Sequence, residues 1–131
     1  MLSPSAFHHL AIQVNDLRAA EDFYCGVLGL RISERWPWPD GRPGERSLWV
    51  ALGVGFLALE ACVDEPGQVP FKDGRAGLHL IALRIEAGER AAWERHLAAR
   101  GVTVVNRSRF TLYVQDPEGN RVGLSHYPYE A

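Results

Sequence analysis

The sequence predicts an α+β fold: two βαβββ modules forming a curved sheet around a cleft, with the helices on the outer face. Three observations predict it. The chain repeats itself once. Each copy opens on an apolar strand and continues into a helical stretch that ends at glycine. The length, 131 residues, holds two short modules but not two independent domains. The repeat sets residues 8–14 against 79–85 at an offset of 71 (79 − 8), 28–32 against 100–104 at 72 (100 − 28), and 55–59 against 120–124 at 65 (120 − 55). The fall from 72 to 65 gives the first copy seven extra residues (72 − 65), in the interval that holds Trp36-Pro37-Trp38-Pro39.

Module 1 covers about 7–63, a linker about 64–77, and module 2 about 78–127. In module 1 the strand over 8–14 meets Asn15 and Asp16, either of which suits a helix N-cap because its side chain accepts from a free N–H of the first turn. Leu17, Ala20, Phe23, Tyr24, Val27 and Leu28 then recur at helical spacing, and Gly29 stands where the chain needs a positive φ to leave the helix. Strands follow at about 30–36, 47–52 and 55–62. The stretch 64–77 is rich in Pro, Gly and charge and separates the copies. In module 2 the helix runs over about 87–100 to Gly101, and strands follow at about 102–106, 111–115 and 120–126. Asp116-Pro117-Glu118-Gly119-Asn120 is a turn, in which Asp bonds its own backbone and Pro presets φ. One helix per module covers one sheet face and leaves the other free.

Composition excludes several classes. Hydrophobic residues make up 47% and charged ones 23%, ordinary for a globular chain. Fourteen Lys+Arg against 16 Asp+Glu leave a net charge of −2, with no basic excess to neutralise phosphates, so no nucleic-acid partner is expected. The longest apolar run, 48–59, is interrupted by Gly53 and Gly55 and is too short to span a bilayer, so no membrane partner is expected. No basic, apolar leader opens the chain, and two cysteines, Cys25 and Cys62, make no disulfide framework; the expected location is cytoplasmic. Neither cysteine has a base placed near it in sequence.

The doubled set of motifs resembles the vicinal oxygen chelate superfamily, the glyoxalase / bleomycin resistance / extradiol dioxygenase group. Its carriers are residues 8–17 (HHLAIQVNDL), Phe23-Tyr24 through Val27-Leu28-Gly29-Leu30, and the turn from Asp116 to Asn120. The resemblance implies paired modules around a cleft, a homodimer, and in most members a divalent metal that polarises a chelating substrate oxygen. Other members lack metal and sequester a drug. The metal positions that the resemblance implies fall on His9, Ala58, Leu80 and Gly123. Only His9 offers a donor, and His79 cannot replace Leu80 because successive strand side chains alternate faces. No metal cofactor is therefore expected. The alternative is a rearranged site in which His9 and Glu60 bind a divalent metal, with a third ligand from Gln13, His126 or a partner subunit.

The expected function is binding of a small, aromatic or apolar molecule in the cleft. The candidate ligand-binding residues are His9, Gln13, Trp36, Trp38, Trp49, Glu60, Arg84 and Tyr113. The Trp residues and Tyr113 offer stiff apolar surface. Gln13 and Arg84 hold equivalent positions (84 − 71 = 13), and Arg84 either pairs with Glu60 or meets an acidic ligand. His8 and His79 are expected to face away from the cleft. The alternative function is a divalent-metal-dependent lyase, dioxygenase or thiol transferase; the residues leave open whether the chain is an enzyme.

Overall fold

The computed structural model describes residues 1–63, 74 and 76–131. Most of the expected linker, 64–73 and 75, lies outside the described residues. The chain divides into two compact units, Met1–Gly67 and Gln68–Ala131.

Unit 1 has the order β1 (His9–Val14), α1 (Leu17–Glu21), a π-helical turn (Asp22–Val27), β2 (Ile32–Pro37), β3 (Glu45–Leu52) and β4 (Gly55–Ala61). Its strands form one four-stranded sheet in the order β1-β4-β3-β2. β1 runs parallel to β4, while β2–β3 and β3–β4 are antiparallel. Asp16 caps α1, its Oδ1 accepting from the Ala19 N–H at 3.0 Å. The helical spacing of the sequence is met by two structures in succession. At Asp22 the helix widens into a π turn, with Leu28 N–H donating to the Phe23 carbonyl at 2.9 Å. Gly26, a poor helix former, lies in that turn. The widening lets consecutive Phe23 and Tyr24 both turn inward, where their rings meet edge-to-face at 5.0 Å. The helical segment ends at Gly29, whose φ of 75° only glycine adopts freely.

Unit 2 has the order β5 (Ile81–Arg84), a single 3-10 turn (Ala87–Glu89), α2 (Arg90–Ala99), β6 (Asn106–Arg107), β7 (Thr111–Gln115) and β8 (Arg121–Ser125). Its sheet order is β5-β8-β7-β6, the same as in unit 1, again with one parallel pair, β5–β8. The pairing reproduces the sequence offsets. Ala11 opposes Ala58 in unit 1 and Ala82 opposes Gly123 in unit 2, giving 82 − 11 = 71 and 123 − 58 = 65. The expected strand over 102–106 shrinks to Asn106–Arg107. Val102 N–H is drawn back to the Leu97 carbonyl at 2.9 Å where the helix ends, so ladder bonding resumes only at Val105, whose N–H reaches the Tyr113 carbonyl at 2.8 Å. The Asp116 turn is tied by its own side chain, with Oδ1 accepting from the N–H groups of Glu118 (2.9 Å) and Asn120 (2.8 Å).

Alternation divides each sheet into two faces. In unit 1 the buried face carries Val14, Leu48, Val50, Leu57 and Leu59, on the same side as Ala20, Phe23, Tyr24 and Leu28 of the helical segment. In unit 2 the buried set is Ile85, Leu97, Leu112, Val114, Val122 and Leu124. Burying each such Leu is worth about 1.5–3 kcal/mol. The opposite faces of the two sheets hold the candidate site residues other than Trp38.

Candidate functional site

The strand register arranges the open face of unit 1 in three rungs. The first is Gln13–Glu60–Ser47–Trp36, the second Ala11–Ala58–Trp49–Glu34, and the third His9–Phe56–Ala51. Five of the eight residues expected from the sequence, His9, Gln13, Trp36, Trp49 and Glu60, therefore share one face. The rings on it form a continuous row. His9 stacks on Phe56 (centroids 4.6 Å apart, planes 2° apart), Phe56 stacks on Trp49 (4.3 Å, 24°), and Trp49 meets Trp36 at 5.2 Å. The row spans all four strands. Ala11 and Ala58 stand where a large side chain would interrupt it, and Ala58 is 1% exposed.

Among the residues of this face that escaped the sequence reading are Phe56, Ser47 and Glu34. Phe56 alternates with Ala58 and Glu60 along β4, so strand parity alone was sufficient to place it. Ser47 is two positions from Trp49 on β3; its parity was visible, but its burial was not. His8 was expected to face away. It precedes β1, so alternation does not bind it, and its ring lies edge-on to Phe56 at 5.6 Å with Nδ1 2.8 Å from His9 Nδ1. Trp38 stands apart from the row, in the loop after β2, with the Arg42 guanidinium over its ring at 4.4 Å and Arg42 tied to Asp40 at 2.6 Å. That contact holds the Asp40 carboxyl below the usual carboxylate range.

Unit 2 presents Arg84, Ser125, Thr111, Tyr113, Gly123 and Arg121 on its own open face. Here the Arg121 guanidinium covers Tyr113 at 4.3 Å. Neither Arg84 nor Glu60 forms an ion pair among the described residues. His126, offered from sequence as a third ligand of the rearranged metal site, is buried just after β8. Arg90 donates to its Nε2 at 3.0 Å and also to the carbonyls of Ser108 (2.9 Å) and Arg109 (3.2 Å). A guanidinium only donates, so Nε2 accepts and the Nδ1–H donates to the Tyr129 carbonyl. His126 is thereby committed to structure.

The four positions implied for a metal do not fit one. His9 is a single imidazole engaged in stacking. Ala58 and Leu80 have no donor atom. At Gly123 a Cβ would lie 3.0 Å from Thr111 Cγ2 and 3.3 Å from Leu80 Cδ1, so no side chain fits without displacing both. The rearranged pair fares no better. His9 opposes Phe56, and Glu60 lies four residues further along β4, about 13 Å at 3.3 Å per residue. Donors to one cation must each come within about 2.0–2.2 Å of it. Among the described residues no three His, Cys, Asp or Glu side chains form a group able to hold a metal.

On the opposite side of unit 1 lies a polar concavity of about 500 Å³ lined by Leu17, Arg18, Glu21, Asp22, Glu45 and Leu48. Two of its carboxylates are matched within the fold, since Arg35 binds both Glu21 and, at 2.9 Å, Glu45. Burial and then the nearby Glu21 push the Cys25 thiol up, against the opposing pull of Arg35, and away from the thiolate a nucleophile needs.

Comparison with known proteins accords with this architecture. The family model for the Glyoxalase/Bleomycin resistance protein/Dioxygenase superfamily matches residues 6–124, and the chain belongs to that superfamily. No curated protein sequence matches significantly. Among solved structures, a glyoxalase/dioxygenase from Nostoc punctiforme superposes with a TM-score of 0.79 at 18% identity, over 98% of this chain and 97% of that one. A lactoylglutathione lyase from Agrobacterium tumefaciens gives 0.68 at 23% identity, over 96% and 98%. The fosfomycin resistance protein FosX from Listeria monocytogenes, a mutant complexed with Mn(II) and 1S,2S-dihydroxypropylphosphonic acid, gives 0.70 at 14% identity, over 93% and 92%. These likenesses establish a shared fold. No helix among the described residues is long and apolar enough to cross a membrane.

Proposed function

We propose that this protein binds a small, planar aromatic or apolar molecule on the open face of unit 1, without the divalent metal used by relatives such as FosX. The row of rings His9–Phe56–Trp49–Trp36 carries the reading. Stiff aromatic surface, Trp36 still 43% exposed, binds a planar ligand with little ordering cost. Gln13 and Glu60 stand on the adjoining rung to fix orientation. The absence of donor atoms at Ala58, Leu80 and Gly123 supports a metal-free mode. Homodimerisation and a cytoplasmic location belong to the same reading and rest on the family resemblance and the low cysteine content.

The test joins calorimetry to elemental analysis. The protein is expected to bind 1-naphthylmethanol, and Trp49→Ala to weaken that binding at least about tenfold, a stacking loss of about 1.4 kcal/mol. Purified protein is expected to carry no stoichiometric Fe, Mn, Ni or Zn. Such a metal, lost in His9→Ala, refutes the metal-free mode.

A further inference from the structure

The two units hold the same polar position in opposite states. In unit 2 Thr111 opposes Ser125, both side chains are on the open face, and Thr111 Oγ1 donates to Ser125 Oγ at 3.0 Å. In unit 1 the corresponding pair is Ser47 and Glu60 (111 − 47 = 64; 125 − 60 = 65). Ser47 is buried to the same extent as Thr111, 8% exposed each, yet its Oγ has no hydrogen-bond partner among the described residues. An unpaired buried hydroxyl is destabilising, because it has given up water and gained no partner. Ser47 lies directly between Glu60 and Trp36 on the first rung, where cross-strand Cβ atoms are about 4.5–5.5 Å apart. Glu60 is half-buried and carries no ion pair among the described residues. A second carboxylate, Glu34, flanks Trp49 on the next rung.

We infer that the open face of unit 1 is built for an aromatic organic cation, whose protonated amine binds Glu60 and Ser47 while its ring lies along Trp36 and Trp49. This deepens the small-molecule reading above and rests on it. A carboxylate accepts only, so its match is an N–H or O–H donor, and a positive one gains most from a half-buried site. The exposed Trp36 ring adds to the same preference, since the π quadrupole attracts a cation within about 6 Å. The Ser47 hydroxyl, able to donate and accept, completes the polar end and acquires the partner it lacks. The expected ligand is opposite in charge to the acidic one that Arg84 of unit 2 suggested from sequence.

Three probes of one shape decide it: 1-naphthylmethylamine (cationic at pH 7), 1-naphthylmethanol and 1-naphthoate, titrated calorimetrically into the full chain. The amine is expected to bind at least about tenfold tighter than the alcohol, as suits a charge-assisted hydrogen bond of about 1.5–3 kcal/mol, and the carboxylate weakest. Glu60→Gln should abolish the amine's advantage over the alcohol. Ser47→Ala should weaken the amine several-fold while raising the Tm of the unliganded protein, a combination that a merely structural serine does not give. Equal binding of amine and alcohol, preference for the carboxylate, or a Glu60→Gln variant that keeps the amine's advantage overturns the inference alone. If none of the three binds, the small-molecule reading falls and the inference with it.

Discussion

The two units share strand order, one parallel pair each, and a helical segment closed by glycine, yet their open faces differ at nearly every matched position. Trp49 stacks on Phe56 at 4.3 Å in unit 1; in unit 2 the matched Tyr113 lies under Arg121, also at 4.3 Å. Gln13 corresponds to Arg84, Ala58 to Gly123, and Glu60 to Ser125. The buried faces, by contrast, hold like residues at matched places, Leu48 with Leu112, Leu59 with Leu124, and Val50 with Val114. Packing constrains the side that is buried, where each methylene is felt. The other side is free to diverge, and in unit 1 it has become aromatic and acidic while in unit 2 Thr111 and Ser125 bond each other.

The largest test of this comparison strikes the shared side. Leu59→Ala and Leu124→Ala remove matched, fully buried side chains, and each is expected to cost about 2–5 kcal/mol in urea unfolding. A loss below 1 kcal/mol at either position would show that the two cores are not equivalent. A smaller effect separates the units. Arg90 ties His126 and two carbonyls in unit 2, whereas the matched residues of unit 1 are Ala19 (90 − 71) and Ala61 (126 − 65). Arg90→Ala should cost about 2 kcal/mol by leaving the buried imidazole nitrogen unmatched, read from the same denaturation curves. The smallest concerns the helix starts. Asp16 caps α1 with its side chain, while Glu86, which opens the helical segment of unit 2, makes no such bond. Asp16→Ala should lower stability by about 1 kcal/mol, and Glu86→Ala by less than half of that.

Much of this was legible in the chain itself. The doubled offsets located the matching strands of the two units, and the pairing of Ala11 with Ala58 and of Ala82 with Gly123 repeats the offset arithmetic. Asp16, Gly29, Gly101 and the Asp116 turn act as read, because capping, positive φ and Asx bonding are decided within a few residues. Alternation put Gln13 on the face of His9 and Glu60 on that of Ala58 before any coordinates, whereas Trp36 and Trp49 were chosen for their aromatic surface and joined to that face by the strand register. The π turn at Asp22 was not legible, since the spacing of Phe23, Tyr24, Val27 and Leu28 suits either helix, and packing chose the wider one. The short β6 was not legible either; 102–106 is β-branched and reads as a strand, but the helix end claims its first N–H.

The sequence by itself determined the βαβββ duplication, the helix ends and the face each strand residue takes, because all of these follow from chain-local periodicity and backbone preference. Only the tertiary structure decided that Phe56 closes a gap between His9 and Trp49, that four strand positions keep His9 and Glu60 apart, that Thr111 crowds Gly123, and that among the described residues Ser47 is buried without a partner while Thr111 has one. Each depends on atoms from different strands meeting at a fixed register, and hydrogen-bond satisfaction and van der Waals contact exist only once that register is set.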